Sequence, residues 1–192
     1  MISKIKTLGV LLAITGCSFY SFKGSIPPHI NSIFISPVEN HTTESAAADI
    51  VKIELESTFI KENILKLLSA NNSDSRLDIV VISFSDTPYS YDIENISSTG
   101  HETLSEKKIE IEAKVSWYDL VKDELLFENQ ISGWSVYNPN EKDIGSDQID
   151  NDNDGYTDDD DDDEYGPSRD SAVKIASNKI SEQIVNEIVS IW

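Results

Sequence analysis

The strongest constraint on the fold is a strict alternation of apolar and polar residues at positions 107–120. Its apolar members are Ile109, Ile111, Ala113, Val115 and Trp117. Because successive side chains of a β-strand point to opposite faces, this pattern predicts a strand with one buried and one wet face. A turn at positions 122–123 leads to a second such segment, residues 125–137, and the two are predicted to pair as a hairpin. Gly133 is expected to mark a bulge in the second strand.

Two further strands are predicted before this hairpin. Residues 32–38 alternate and contain Pro37 near their end, which indicates an edge strand or the end of a strand. Residues 76–85 contain an unbroken apolar run that suits a central strand covered on both faces. The polar segment 86–104, which contains Pro88 and Gly100, is predicted to be a long loop or an irregular sheet edge.

Two helices are predicted from apolar residues at helical spacing. The first begins at a cap at position 43 or 45 and runs to about Ala70. Its apolar stripe comprises Ile50, Ile53, Leu55, Phe59, Ile60, Ile64, Leu67 and Leu68. The second begins at Ser168 or Asp170 and runs to Trp192. The order β-α-β-β-β-α predicts an α+β two-layer sandwich, in which a four-stranded mixed sheet carries both helices on one face.

The first seventeen residues, MISKIKTLGVLLAITGC, are typical of a bacterial lipoprotein signal. Lysines precede an apolar run too short to span a bilayer, and the segment ends in Ile-Thr-Gly-Cys. The resemblance to bacterial lipoproteins implies cleavage before Cys17 and attachment of diacylglycerol and acyl chains to this only cysteine. The residue after the cysteine is Ser18, whereas an aspartate there would favour retention in the inner membrane. The protein is therefore predicted to lie on the periplasmic side of the outer membrane. The alternative is an ordinary cleaved signal with an incidental cysteine.

These features predict three parts of the chain. Residues 1–16 form the signal peptide, and residues 17–31 form a lipidated tether held extended by a proline pair. Residues 32–192 form the α/β domain, with an acidic insert at residues 143–166.

The charge of the chain is concentrated in this insert. The chain has 35 acidic and 15 basic residues, a net charge of −20, and residues 143–164 contain no lysine or arginine. A basic surface of the kind that binds nucleic acid is missing from the sequence, so nucleic acid is not an expected partner.

Within the insert, the sequence DNDNDGYTDDDD resembles the calcium loops of EF-hands, dockerins and thrombospondin type 3 repeats. Calcium takes six to eight oxygen ligands, and glycine at the sixth position permits the sharp turn of such a loop. The expected ligands are Asp150, Asp152, Asp154, the carbonyl of Tyr156, Asp158 and Asp161. No helical pattern flanks the loop, so an isolated calcium loop is predicted. The alternative is a solvated, disordered acidic tract.

Catalytic motifs are missing from the sequence. The histidines, His29, His41 and His101, are scattered and lack metal-ligand spacing. There is no nucleophile-elbow serine and no glycine-rich phosphate loop. The protein is not expected to be an enzyme.

A second pattern follows the lipobox. Its members are Phe22, Gly24, Pro27, Pro28, Ile33, Ile35, Asn40 and Thr42. This segment resembles the LPS-assembly lipoprotein family (LptE-like), and the predicted element order agrees over nearly all of the chain outside the insert. The resemblance implies an outer-membrane lipoprotein that sits in the β-barrel of the lipopolysaccharide translocon and supports lipopolysaccharide transport. Lipopolysaccharide itself is a further candidate partner, although the basic residues that would suit its phosphates are seldom clustered.

Two functions follow from the sequence. The first is a plug and assembly partner of the lipopolysaccharide translocon barrel, anchored through Cys17. The second is a calcium-dependent periplasmic or surface binding module in which the acidic insert is the active part.

Overall fold

The computed structural model describes residues 26–94, 101–161 and 163–190, and within these ranges the chain forms six strands and two α-helices. In chain order they are β1 (Ser32–Ile35), β2 (Glu39–Asn40), α1 (Ala47–Glu62), β3 (Lys66–Leu67), β4 (Ser75–Glu94), β5 (His101–Asp119), β6 (Glu124–Tyr137) and α2 (Ser168–Ser190). Short 3-10 turns occur at Ala70–Asn72, Ile144–Ser146 and Asp158–Asp160. None of the helices in the described part is long and apolar enough to cross a membrane.

The strands form one mixed sheet in the order β3–β1–β4–β5–β6, and β2 pairs with β4 beyond the end of β1. The pairs made by β1, β2 and β3 are parallel, whereas β4, β5 and β6 are antiparallel. Helices α1 and α2 pack against each other and against the sheet. The predicted α+β two-layer sandwich is therefore confirmed, with two two-residue strands added at its parallel edge.

The core lies between the helices and one face of the sheet. Leu77, Trp117 and Phe127 form one row across β4, β5 and β6, and Ile79 faces Val115 in the next row. The rings of Trp117 and Phe127 have centroids 5.9 Å apart. Helix α2 covers this face with three fully buried side chains: Ile180, Ile184 and Ile188. The predicted hairpin of β5 and β6, with alternate residues buried along β5, is confirmed.

Helix α1 is shorter than predicted. It ends at Glu62 because Asn63 adopts the left-handed conformation, with φ of 50°, and donates its N–H to the carbonyl of Phe59. The chain then turns back to form β3 beside β1. The predicted apolar stripe is also partly wrong, since Ile53 and Ile60 are 61% and 71% exposed. The buried face of the helix is Ala47, Ala48, Val51, Leu55, Thr58 and Phe59.

The start of α1 is organised by a side chain that precedes it. The N-cap is Ala46, without a side-chain cap bond, so the predicted cap at position 43 or 45 is wrong. The carboxamide of Asn40 accepts hydrogen bonds from the Thr42 N–H (2.9 Å) and hydroxyl (2.8 Å), and donates to the carbonyl of Glu44 (2.8 Å). This turn leads the chain from β2 into the helix.

The loop predicted at residues 86–104 is instead paired backbone wherever the structure describes it. β4 and β5 continue past the core as a hairpin that reaches the pair Glu94 and His101. Pro88 is accommodated because β1 and β2 flank β4 only as far as Val81, and a register shift lies beside the proline. Polar strands that leave the core lack the apolar alternation by which a strand is recognised.

Gly133 has a role other than the predicted bulge. Pairing of β5 and β6 is continuous through it, and the register shift lies between Trp117 and Tyr118. Helix α2 crosses here so closely that a Cβ atom on Gly133 would overlap the carbonyl oxygen of Ala176 and lie 2.9 Å from Ile180 Cγ1. The glycine therefore permits close helix–sheet contact.

Candidate functional site

The predicted lipid attachment site, Cys17, lies outside the described residues, as do Phe22 and Gly24 of the family-like segment. The described chain begins at residue 26, within the predicted tether. Pro27 is buried and its carbonyl accepts the N–H of Ile30 at 2.9 Å, so the proline pair opens a turn. Ile30 is itself buried in the core. Residues 26–31 are thus attached to the domain, and the extended conformation predicted for them is not found.

His29 attaches this segment to a buried carboxylate at the end of β5. Its Nε2 lies 2.5 Å from Oδ2 of Asp119, which is fully buried. The other oxygen, Oδ1, accepts the N–H groups of Val121 (2.9 Å) and Lys122 (3.1 Å). Burial opposes ionisation of Asp119, but the hydrogen bond from His29 and those two N–H groups outweigh it and lower the pKa. Sequence spacing gave no sign of this pair, because its members are 90 residues apart.

The acidic insert is attached to the end of β6 through Asn151. This residue is fully buried, its carbonyl accepts the N–H of Val136 at 2.8 Å, and its side-chain amide donates to the Val136 carbonyl at 2.7 Å. The hydroxyl of Ser135 also donates to the Asn151 carbonyl, at 2.9 Å. The insert therefore folds against the domain, in contrast to the alternative of a disordered tract.

The loop itself turns as the calcium-loop pattern predicts. The carboxylate of Asp150 accepts the N–H groups of Asp154 and Gly155, both at 3.1 Å. Asp152 accepts the N–H of Asp154 at 2.9 Å. Gly155 has a φ of +100°, a conformation that glycine adopts more readily than other residues, which explains its place at the sixth position.

Glu164 closes the loop, and sequence reasoning did not select it as a ligand. It is only 3% exposed, and its two oxygens accept the N–H groups of Asn151 (2.6 Å) and Asp158 (3.1 Å). Burial raises the pKa of Glu164 to about 7. The two hydrogen bonds act in the opposite direction, whereas the negative charges of Asp161 and Asp147 add to the increase. The sequence signal that could have found it is the single glutamate at the end of the aspartate run.

The structure brings carboxylates together in two groups that share one residue. Asp150, Asp152 and Glu164 each place an oxygen within 4.8 Å of the others, and so do Asp152, Asp154 and Asp161. Four of the predicted side-chain ligands therefore belong to these groups, but they are divided between the two and do not meet at one point. Asp158 lies outside both groups, and its Oδ1 accepts the N–H of Gln148 at 3.2 Å. The side chain of Tyr156 is exposed, and its backbone N–H donates to Asp154.

A cleft of about 390 Å³ lies between the insert and the two helices. Its basic residues are Lys61, Lys174 and Lys179, and its acidic residues are Glu54, Glu62, Asp152, Asp154, Asp163 and Glu182. Lys179 donates to the carbonyl of Asp152, and its Nζ lies 4.5 Å from the centre of the Trp134 ring. Because acids outnumber bases, this cleft is better suited to cations than to phosphate groups.

A third polar cluster joins four parts of the fold at Asp86. Its carboxylate is bonded by Lys107 (2.8 Å), Arg169 (3.0 Å) and the hydroxyl of Tyr137 (3.1 Å). Arg169 also contacts Glu44, at 2.7 Å. Burial opposes ionisation of Asp86, but the hydrogen bonds from Lys107 and Arg169 outweigh it and lower the pKa. The charged and polar groups of this cluster, which come from β4, β5, β6 and α2, are paired with one another, and this indicates a structural role.

Comparison with known proteins shows similarity in fold alone. No protein-family model and no curated protein matches the sequence. A hypothetical protein of Chlamydia trachomatis is similar with a TM-score of 0.52 and 10% identity, over 84% of this chain and 97% of that one. A protein of Xanthomonas campestris has a TM-score of 0.51 and 8% identity, over 87% and 90%. A minor lipoprotein of Acinetobacter baumannii has a TM-score of 0.42 and 10% identity, over 85% and 94%.

Proposed function

We propose that this protein is a lipid-anchored lipoprotein of the Gram-negative outer membrane that assembles with the β-barrel of the lipopolysaccharide translocon. The observation that carries the proposal is the lipobox ending at Cys17, followed by the family-like segment that continues to Thr42. Two or more acyl chains on one residue suffice for stable anchoring. The confirmed two-layer sandwich is the fold that the family resemblance implies.

The described members of the family-like segment support the proposal through their local roles. Pro27 begins the turn that attaches the chain to the domain, and Ile33 and Ile35 are buried in β1. Asn40 and Thr42 form the turn before α1. The segment therefore sets how the tether joins the sandwich, which is the part of the molecule nearest the lipid anchor.

We propose that the protein contacts the barrel and not the phosphates of lipopolysaccharide. The large cleft is lined by more acids than bases, and like charges repel phosphate unless a cation lies between them. A plug needs shape and stable contact with the barrel wall, and neither depends on a basic surface.

The test is an affinity pull-down of the tagged, lipidated protein from a detergent extract of outer membranes, read by mass spectrometry. We expect the translocon barrel at near-equal amount. The same chain with Cys17→Ser is the control for membrane co-extraction, because it keeps the domain and loses the anchor. Recovery of the lipidated protein without the barrel would overturn the proposal.

The acidic insert favours a second candidate function, calcium binding. The two carboxylate groups supply hard oxygen ligands of the kind calcium takes, on a loop whose glycine permits the required turn. Asp150, Asp152 and Glu164 would hold an ion in the first group, and a bound cation would stabilise the ionised form of the buried Glu164. If the barrel is not a partner, this site makes a calcium-dependent periplasmic or surface binding module the better description.

Two measurements separate these functions. Calorimetric titration with millimolar calcium, with magnesium as the control ion, should give a heat that is lost in Asp152→Asn, since this residue belongs to both groups. Absence of heat in the wild-type protein would refute calcium binding. Protease treatment of whole cells should leave a barrel plug intact and cleave a surface module.

A further inference from the structure

The turn between β5 and β6 and the start of β6 present three apolar side chains to solvent. Leu120, Val121 and Leu125 are 39%, 63% and 50% exposed, although most large apolar side chains of the sandwich are buried. They are adjacent, because Leu125 pairs across the hairpin with Tyr118 and the other two follow directly after β5. We call Leu120, Val121 and Leu125 the hairpin tip.

The hairpin tip is held in place by buried hydrogen bonds at its base. The fully buried carboxylate of Asp119 accepts the N–H groups of Val121 and Lys122. The N–H of Leu120 donates to the carbonyl of Asp74 at 2.9 Å. The turn is thus fixed to the sheet, and its apolar side chains project from a defined position.

The same two aspartates hold the segment through which the chain reaches the domain. His29 bonds to Asp119 at 2.5 Å, and the N–H of Asn31 donates to Asp74 at 2.9 Å. The hairpin tip and the end of the tether therefore lie side by side at one end of the sandwich.

The tether is short. Ile26, the first described residue, lies nine positions after Cys17. Even fully extended, nine residues span at most roughly 30 Å. An anchor at Cys17 thus keeps this end of the sandwich within roughly 30 Å of the lipid anchor.

We infer that the hairpin tip contacts the lipid surface beside the anchor and orients the domain on the membrane. Transfer of Leu and Val side chains from water to the boundary between lipid headgroups and acyl chains is favourable in free energy. Because the anchor already holds the domain at the membrane, weak insertion of three side chains is enough to orient it. This inference rests on the proposed lipid attachment at Cys17, and it describes the anchored protein when it is not seated in the barrel.

The test uses the full lipidated chain with Val121→Cys, labelled with an environment-sensitive fluorophore. Acylation blocks the thiol of Cys17, so residue 121 carries the only reactive thiol. The protein is reconstituted in vesicles of phosphatidylethanolamine and phosphatidylglycerol, with and without doxyl-labelled lipid. We expect a blue shift of the emission and strong quenching by the doxyl lipid.

Tyr91→Cys is the matched control. Tyr91 is 55% exposed, similar to Val121, but it pairs with Leu104 near the far end of the β4–β5 hairpin. Leu104 and Asp119 are fifteen positions apart in β5, which is roughly 50 Å at 3.3 Å per residue. A label at position 91 should remain in water and unquenched. Leu125→Cys is a second variant at the hairpin tip and should behave like Val121→Cys.

The outcomes separate this inference from the lipoprotein proposal. Unquenched labels at both 121 and 125, or equal quenching at 121 and 91, would overturn lipid contact by the hairpin tip. A blue shift without quenching by lipid would indicate a protein neighbour and would also overturn it. Labelling of the wild-type chain would show a free Cys17 thiol, in which case the lipoprotein proposal fails and this inference fails with it.

Discussion

Glu164 makes a quantitative prediction about stability and pH. Its carboxyl is buried and has a pKa of about 7, whereas its ordinary value is 4.5. A group whose pKa is raised by folding contributes stability that is complete below pH 4.5 and is lost as the pH rises through 7. The interval between the two values corresponds to about 3 kcal/mol of unfolding free energy. Part of this stability is already lost at pH 5, so the wild-type protein should lose about 2–3 kcal/mol, relative to Glu164→Gln, between pH 5 and pH 8.

The assay is urea unfolding, followed by tryptophan fluorescence, at intervals between pH 5 and pH 8 in the presence of EDTA. Gln keeps the shape but loses one of the two backbone hydrogen bonds, which lowers stability by an amount that does not depend on pH. Only the pH-dependent part of the difference is therefore assigned to ionisation. Measurements stay above pH 5 because Asp86 and Asp119, whose pKa values are lowered, lose stabilising charge in stronger acid.

Glu182→Gln is the matched control for removing one negative charge, because Glu182 is exposed and lies in the cleft between the insert and the two helices. A difference between wild type and Glu164→Gln that stays constant from pH 5 to pH 8 would refute the assignment of the raised pKa. A wild type that gains stability with rising pH relative to the variant would refute its sign.

Three further predictions follow from the geometry. Calcium should raise the melting temperature of the wild type at pH 8, and Asp152→Asn should abolish that rise, whereas Asp158→Asn, outside both carboxylate groups, should keep most of it. Gly133→Ala should lower the free energy of unfolding by about 3 kcal/mol, because α2 must move to make room for the new Cβ atom. Gly155→Ala should lower it by only about 1 kcal/mol, because its Cβ atom would meet no atom within 4 Å and only the positive φ opposes the substitution. Urea unfolding measures both. His29→Ala should lower stability by about 1–3 kcal/mol at pH 7, seen as a lower melting temperature, because a buried carboxylate loses its partner.

The strands of the sheet could be predicted where burial of one face makes apolar and polar residues alternate along the sequence. β5 and β6 were recognised because their alternate side chains fill the core beneath α2. The outer parts of β4 and β5 could not be recognised, since they extend beyond the core and burial no longer selects apolar residues there. In α1 the reverse occurred, because exposed Ile53 and Ile60 entered the predicted stripe although they face away from the core.

The candidate site was predictable only in its local part. The turn of residues 150–155 is set by neighbouring residues, and its pattern is visible in the sequence. Glu164 completes the loop from beyond it, and the pair of His29 with Asp119 joins residues at distant positions. Contacts of this kind depend on how the chain closes in space, and spacing along the sequence does not encode them.

The position of α2 at the end of the described chain has a consequence for the order of folding. Ile180, Ile184 and Ile188 cover rows of β5 and β6 side chains that no earlier helix covers to the same extent. Until residues 168–190 have been added, that face of the sheet stays open to water, and pairing of the strands brings little hydrophobic gain. The addition of residues 168–190 therefore decides when this sandwich becomes stable. A chain that ends before α2 should therefore form an aggregation-prone, protease-sensitive sheet and not a smaller stable domain.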